Sequence, residues 1–526
     1  MQLFRFHGGV HPAENKAMSA EAPIVKARIP KYLVLPLLQH IGTPTEPVVK
    51  SGDKVLKGQV IARCQSNDCS LHTSTPVHAS TSGTVIAIEP RHVPHPSGLM
   101  ATCIIIETDG RDTWLERPPI DNYTALSPDI VRQHIAQAGI VGLGGAGFPS
   151  HLKLKPDGID TLILNGAECE PYITCDDALM RQKPQDIIAG AEILMYVLGG
   201  AKHCIIAVED NKPEAYEALV KGLERFYPAF LADHYGNEAD YPKHKIEVVK
   251  VPTLYPTGGE KQLIYILTGK EIGRSRLPAE EGIVVHNVET ARAIYRAVEH
   301  GQPLLCRLVT ITGSGIEKPQ NLEVLLGTPM HEVIDWCGRK SGIERLISGG
   351  SMMGFSLPND ELPIVKTTNC LIASQKEDVD KLPPAMPCIR CGQCAEACPI
   401  HLLPQQLYWY AKAKDFKNIQ RYNLFDCIEC GCCSYVCPSH IPLVNYYRYA
   451  KSEIRAQERE KRHSDIAKQR HEFRSFRIER EKAEKAAKHK ARAKAVAKTK
   501  DKKAEIDAAV ARAKQKQTAD TSDKNS

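Results

Sequence analysis

The stretch CIRCGQCAEACP, from Cys388 to Pro399, recurs as CIECGCCSYVCP from Cys427 to Pro438. Both read C-x2-C-x2-C-x3-C-P, and no other feature limits the fold so tightly. That spacing brings three thiolates onto one tight loop around a metal cube. The fourth cysteine opens a short helix, and the proline ends the turn. Zinc is the competing reading. Structural zinc sites, however, pair two C-x2–4-C hairpins and need neither a third cysteine at the same interval nor the proline. Disulfides fit less well, because no signal peptide or secreted-scaffold composition accompanies the cysteines.

Where one chain carries two such motifs, the fourth cysteine of each crosses to the other cluster. On that rule Cys388, Cys391, Cys394 and Cys437 hold one [4Fe–4S] cluster, and Cys427, Cys430, Cys433 and Cys398 hold the second. Cys432 lies inside the second run but off its spacing, so it is left without metal. The other cysteines are scattered singly and read as small buried hydrophobes. Two such centres side by side make a wire for single electrons.

At 526 residues the chain has room for several domains with their own cores. Apolar residues make up 42% and charged residues 25%, the balance of a soluble globular protein. No apolar run approaches eighteen residues: AEILMYVLGG (191–200) meets Lys202 and His203 at once. The sequence therefore predicts no transmembrane segment. MQLFRFHGGVHP lacks the apolar core of a secretion signal, so a reducing cytosolic compartment is expected. The net charge of +6 is unevenly spread. From Lys451 to Ser526 there are 24 Lys/Arg against 13 Asp/Glu, which leaves 44 against 49 in the first 450 residues.

Residues 1–125 read as β structure, with KSGDKVLKGQVIARC (50–64) expected to form a hairpin. In style they resemble the barrel-sandwich hybrid fold of biotinyl and lipoyl carriers. Those carriers present a lysine on a tight turn, and QSNDCSLHTST (65–75) has none, so a structural or docking role is expected. Residues 126–300 alternate strands (TLILN, KHCIIAVED, KIEVVKVPT) with helical stretches such as ALMRQKPQDIIAGAEILMYVLG (178–199). That is α/β architecture, with ligands at the strand carboxyl ends. Residues 301–375 return to short strands and resemble a ligand-binding β-grasp (SLBB-like) insert. The cysteine module, 376–450, is mostly helical. Residues 451–526 form a basic Ala/Lys-rich tail, a long solvated helix or a disordered segment.

GIVGLGGAGFPS (139–150) is the second informative stretch. Gly142, Gly144, Gly145 and Gly147 strip side chains where a backbone must approach a phosphate or an aromatic ring. A helix starting near Ser150 would add unpaired N–H groups. A plain turn is the competing reading. LILNGAECEP (162–171), YPTGGEKQL (255–263) and HNVETARAI (286–294) follow. In that order the four stretches resemble the flavin- and NADH-binding subunit of respiratory complex I. With FHGGVHP (6–12), the barrel-sandwich domain, the two cysteine motifs and the tail, nearly the whole chain resembles the RnfC (RsxC) family of the Rnf electron-transport complexes.

The resemblance implies two [4Fe–4S] clusters, non-covalent FMN and NAD(H). It implies that Gly142, Gly144, Gly145 and Gly147 approach FMN and the nucleotide, and that Phe148 stacks near the nicotinamide or adenine. Lys153 would meet the flavin phosphate, Asn165 and Asn287 would hydrogen-bond the flavin, and Glu170 and Glu260 would contact NADH. The chain departs from the complex I pattern at Leu143, Ala167, Gly259 and His286. The expected place is the cytoplasmic face of the bacterial inner membrane. There a peripheral subunit would meet the other subunits of a membrane-embedded Rnf-type complex and a ferredoxin-like carrier.

A flavin between a two-electron donor and one-electron centres needs no catalytic acid or base, so no catalytic residue is nominated. His7, His11, His95 and His286 read as structural or solvated. The tail has no aromatic residue after Phe476, which argues against nucleic acid as partner. Against the enzyme-like reading stands a non-catalytic iron–sulfur relay or docking subunit without its own NADH site. Quinone reduction is weaker, because related quinone-site subunits of sodium-pumping complexes lack the two cysteine motifs.

Overall fold

Apolar alternation builds the N-terminal part. In the computed structural model, Met100–Thr108 pairs antiparallel with Gly83–His92 on one side and Tyr32–Pro36 on the other, burying Ile104 and Ile106 against Leu33 and Leu35. A second sheet joins Glu46–Pro47, Val60–Arg63 and Val77–His78. The hairpin expected over 50–64 does not form. Lys54–Val55 pairs with Gly83–Thr84, whereas Val60–Arg63 belongs to the other sheet. The corner at Leu56–Gln59, with Gly58 at φ +81°, carries the chain between sheets instead of folding it back. The structure describes residues 2–64, 73–116, 118–155, 158–237, 239, 241–273, 276–379 and 383–522. The lysine-free stretch 65–72 lies outside them.

The middle of the chain is a four-stranded parallel sheet: β1 (Thr161–Gly166), β2 (His203–Glu209), β3 (Lys245–Val251) and β4 (Ile283–Asn287), in the order β3-β2-β1-β4. Leu162, Ile163 and Leu164 are all fully buried, as parallel strands covered on both faces require. The helix expected over 178–199 is two helices, Cys175–Gln182 and Pro184–Val197. Pro184 offers no N–H and forces Lys183 out of helical geometry, to φ −136° and ψ 47°. Gly190 brings the second of these against Val288–Glu299; a Cβ there would stand 2.0 Å from the Ala291 carbonyl oxygen.

Residues 306–375 form a mixed sheet. Cys306–Thr312 lies between Gln320–Leu325, antiparallel, and Cys370–Gln375, parallel; Ile343–Ser348 follows antiparallel, and the helix Met330–Trp336 joins the halves. Val25–Lys26 adds an edge strand beside Gln320–Leu325, so the N-terminal segment extends this sheet.

The cysteine module repeats its backbone as faithfully as its sequence. Arg390 and Glu429 have φ of 59° and 58°, Gly392 and Gly431 85° and 86°, and His401 and His440 52° and 50°. Each left-handed glycine precedes a one-turn helix, Gln393–Glu396 or Cys432–Tyr435. Longer helices then start at the equivalent Pro404 and Leu443. The second continues as Leu443–Ser522, so of the two expectations for the tail the helix is observed. Residues up to Arg448 make one unit and those from Tyr449 a second, in which every residue from Arg455 to Gln517 is exposed.

Candidate flavin and iron–sulfur sites

The glycine loop closes on itself and is stapled at its base. Gly142 N–H donates to the Phe148 carbonyl (2.7 Å), and Gly147 N–H donates to the Gly142 carbonyl (3.1 Å). Leu143 is buried; its N–H donates to Thr290 Oγ1 (2.9 Å), and its carbonyl accepts from Arg307 (2.9 Å). Arg307 is itself buried and paired with Glu289 at 2.8 Å. These bonds leave Gly144, Gly145 and Ala146 exposed at the tip. Gly145 and Gly147 take φ of +99° and +64°, which side chains resist. A Cβ on Gly147 would stand 2.6 Å from Thr367 Cγ2, whereas one on Gly145 would meet open space. The tip is thus a bare backbone surface, as the approach of a planar or anionic group requires. The helix expected at Ser150 is a single turn, Ser150–Lys153, too short to offer an anion site. Phe148 is half-buried beside it.

Opposite the loop lie the carboxyl ends of β1 and β4, where Asn165 and Asn287 are register partners. Asn287 Oδ1 accepts from Glu289 N–H (2.8 Å), capping the helix Val288–Glu299, while its Nδ2 donates to Asp176 (2.7 Å). A Cβ on Gly144 would touch Asn287 Cβ at 3.4 Å, so loop and cap face each other. Asn165 Nδ2 donates to the Gly258 carbonyl (2.9 Å), binding the strand end to the Gly-Gly turn. Glu260 opens the helix Glu260–Thr268 and pairs with Lys153 at 2.8 Å, both side chains partly exposed. His286 beneath them is buried. Burial, with the Lys153 charge adding to it, holds its imidazole down at about 3, so the ring is neutral.

The turn after β1 carries two buried carboxylates. Burial pushes Glu168 up against the opposing charge of Lys16, and it accepts from Asp176 N–H at 2.7 Å, at the start of the helix Cys175–Gln182. Glu170 is buried too and accepts from Met352 N–H (2.6 Å) and Met353 N–H (2.9 Å). Lys16 donates to the carbonyls of Glu168 (2.8 Å) and Glu170 (3.0 Å). Sequence reasoning missed Lys16, Thr367 and Met352. They come from distant segments, and no local pattern marks them.

The eight proposed thiols divide between two cavities. One, of about 560 Å³, is lined by Cys388, Cys391, Cys394 and Cys437, together with Trp409. The other is lined by Cys398, Cys427, Cys430 and Cys433. The fourth thiol of each motif thus faces the other motif's cavity. Burial pushes the Cys394 thiol up, and neighbouring Cys391, Cys437 and Cys388 push the same way; Cys433 rises for the same reasons, beside Cys427, Cys430 and Cys398. Burial and neighbouring thiols disfavour the charged forms of Cys394 and Cys433, and a cationic cluster held by each set would relieve that cost. The residues fit the group. Cys432 is fully buried outside both cavities, and its hydrogen bond holds the Cys430 thiol down.

The second thiol set borders the α/β domain. Tyr255 Oη donates to the Cys430 carbonyl (2.6 Å), and Cys169, Tyr255 and Met352 pack with Cys430 and Cys432. The segment 4–10 joins them: Gly9 N–H donates to the Ala397 carbonyl (3.1 Å), and Val10 pairs with Tyr255. His7 stacks on His401 at 4.2 Å, His11 is exposed, and His95 bonds Ser97 at 2.6 Å on the surface.

Three stretches of the chain match known protein families. Residues 4–111 match the RnfC barrel sandwich hybrid domain, 135–296 the Nuo51 FMN-binding domain, and 387–441 the 4Fe-4S dicluster domain. The chain thus joins a flavin-binding type of domain to an iron–sulfur dicluster type of domain. The C subunit of the ion-translocating oxidoreductase complex of Pectobacterium atrosepticum is 44% identical over 522 residues, 99% of this chain and 72% of that protein. That of Vibrio cholerae is 48% identical over 490 residues, 92% of this chain and 60% of that protein. The chain therefore belongs to the RnfC family, the C subunits of ion-translocating oxidoreductase complexes. It spans about 60% of the length of the Vibrio relatives. A chain of the NAD+-reducing [NiFe]-hydrogenase in the H2-reduced state aligns over 65% of each chain at 21% identity and a TM-score of 0.46.

Proposed function

We propose that the chain is the peripheral subunit of a membrane-bound ion-translocating complex, passing electrons between NAD(H), FMN and two [4Fe–4S] clusters to or from ferredoxin-like partners or a redox regulator. Its place would be the cytoplasmic face of the bacterial inner membrane. The β-grasp reading of residues 301–375 is supported by the strand order, with Cys306–Thr312 and Cys370–Gln375 as parallel central neighbours.

When bound, FMN would accept an electron pair and release electrons singly, and the clusters would carry them one at a time. This chain's residues supply position. Gly144–Ala146 would present bare backbone to the flavin, Lys153 a cation to its phosphate, and Asn165 and Asn287 amides at the two strand ends. Phe148 would stack on the nucleotide. The cluster ligands would be Cys388, Cys391, Cys394 and Cys437, and Cys427, Cys430, Cys433 and Cys398. The observation that carries this reading is the Tyr255–Cys430 contact, which seats the second thiol set against the turns that end β1 and precede Glu260. The second set would then exchange electrons with the flavin, and the first, whose Cys391 is exposed, with the outer partner.

One observation favours the relay reading for the nicotinamide site. Glu170 is buried, bonded to Met352 and Met353, and pressed by Gly350, where a Cβ would fall 1.8 Å from Glu170 Cγ. In that reading Glu170 holds the 349–353 loop, not NADH. Anaerobic purification with iron, sulfide, zinc and flavin assays, followed by NADH titration under electron paramagnetic resonance, tests both. Cluster reduction by NADH is expected. Zinc in place of iron would overturn the cluster assignment, and clusters reduced by dithionite but never by NADH would leave only the relay.

A further inference from the structure

We propose that the basic run of the C-terminal helix binds the anionic surface of a phospholipid bilayer. The inference rests on family membership and on this helix, not on the electron-transfer reading. From Lys485 to Lys500 the sequence holds seven Lys/Arg and no Asp or Glu. The run lies within the helix Leu443–Ser522, and each of its residues is exposed. Just upstream, Arg477 pairs with Glu481 (3.7 Å) and Arg480 with Glu484 (3.6 Å), so those cations carry their own counter-charges. The run has none. Lys488 and Arg492, Lys490 and Lys494, and Lys494 and Lys498 stand four apart, where like charges weaken a helix. An external anionic surface would remove that repulsion.

The composition selects among anionic partners. At 3.6 residues per turn these cations point to all sides, which suits a diffuse charged plane better than one groove. Six of the seven are lysines, compact charges on long stems that reach a headgroup layer while the backbone stays above it. Val496 is the one large apolar side chain in the run, so no apolar anchor for a protein pocket exists. No aromatic residue follows Phe476, so stacking on nucleic acid bases is absent. No helix among the described residues is long and apolar enough to cross a membrane. A chain of an ion-translocating family thus carries, in this run, a means of reaching a bilayer surface.

The test is flotation of the full-length chain with vesicles of phosphatidylcholine, alone or mixed with phosphatidylglycerol. Binding to the mixed vesicles alone is expected, with helical circular dichroism rising on binding. Affinity should fall about tenfold or more between roughly 0.05 and 0.5 M salt, as screening shortens. A variant with Lys488, Lys490, Lys494 and Lys498 each changed to Gln should lose about tenfold or more in affinity, with iron and flavin content unchanged. The proposal is overturned by equal binding to the neutral vesicles, by no binding at low salt, or by tighter binding to single-stranded polyuridine than to the mixed vesicles.

Discussion

The hydroxyl of Tyr255 and the carbonyl of Cys430 meet at 2.6 Å, joining the turn before Glu260 to the loop of the second cysteine motif. Both residues are buried, so neither atom exchanges its partner for water. Changing Tyr255 to Phe keeps the ring and strands the carbonyl. The expected cost is about 1–3 kcal/mol, read as a lower urea midpoint with full iron content. Reduction of the clusters by NADH should slow, because the contact that fixes their approach to the flavin domain is loosened.

The crossed thiol sets make a directional prediction. Cys437→Ala should perturb the cluster of the Cys388 motif, although Cys437 lies in the other motif. About half of the iron should be lost, and the surviving paramagnetic signal should match that of Cys388→Ala. Cys432→Ser should keep all of it. A Cys437→Ala signal matching that of Cys427→Ala would mean that the motifs do not cross.

At the glycine loop, Gly147→Ala meets two obstacles, a left-handed φ of +64° and Thr367 Cγ2 at 2.6 Å. Flavin retention after gel filtration should fall. Adding Thr367→Ser removes the clashing methyl but not the backbone strain, worth about 1–2 kcal/mol, so recovery should be partial. Gly145→Ala, strained without a clash, should resemble the double variant.

Lys153 stands between Glu260 and the Val285 carbonyl. Lys153→Met should release flavin while leaving the urea midpoint nearly unchanged, since the pair is partly exposed and worth at most about 1 kcal/mol. Flavin fluorescence of the flow-through measures it.

Acid should weaken the fold through His286. Its folded ring is held down at about 3, chiefly by burial, while the unfolded ring takes a proton below about 6.5. The unfolded state therefore binds more protons, and stability present above 6.5 drains away as pH falls toward 3. By pH 5 the loss is about 2 kcal/mol. His286→Asn should remove it, so the gap between urea midpoints at pH 7 and pH 5 should narrow relative to the unaltered chain.

The metal-binding half was legible because its chemistry fixes spacing: thiols at set intervals, a left-handed glycine and a proline leave little choice of backbone. The parallel sheet was legible from apolar runs such as TLILN and KIEVV. What failed were choices made by distant contacts. Nothing within residues 50–64 says that Lys54 and Val60 part company into different sheets, since both segments alternate alike. The break at Lys183 was visible in Pro184 and was overridden by the strong apolar run after it. Glu170 shows the deeper limit. Its partners, Met352 and Met353, sit in a loop no sequence pattern links to it.

The segment 8–10 is clasped between Ala397 and Tyr255, with Gly8 so close that a Cβ would fall 2.8 Å from the Ala397 carbonyl. A ribosome releases that segment long before the cysteines it touches. During synthesis the early strand must wait for its late partner. A fragment cut to hold only the cysteines would accordingly lack one wall of its own socket.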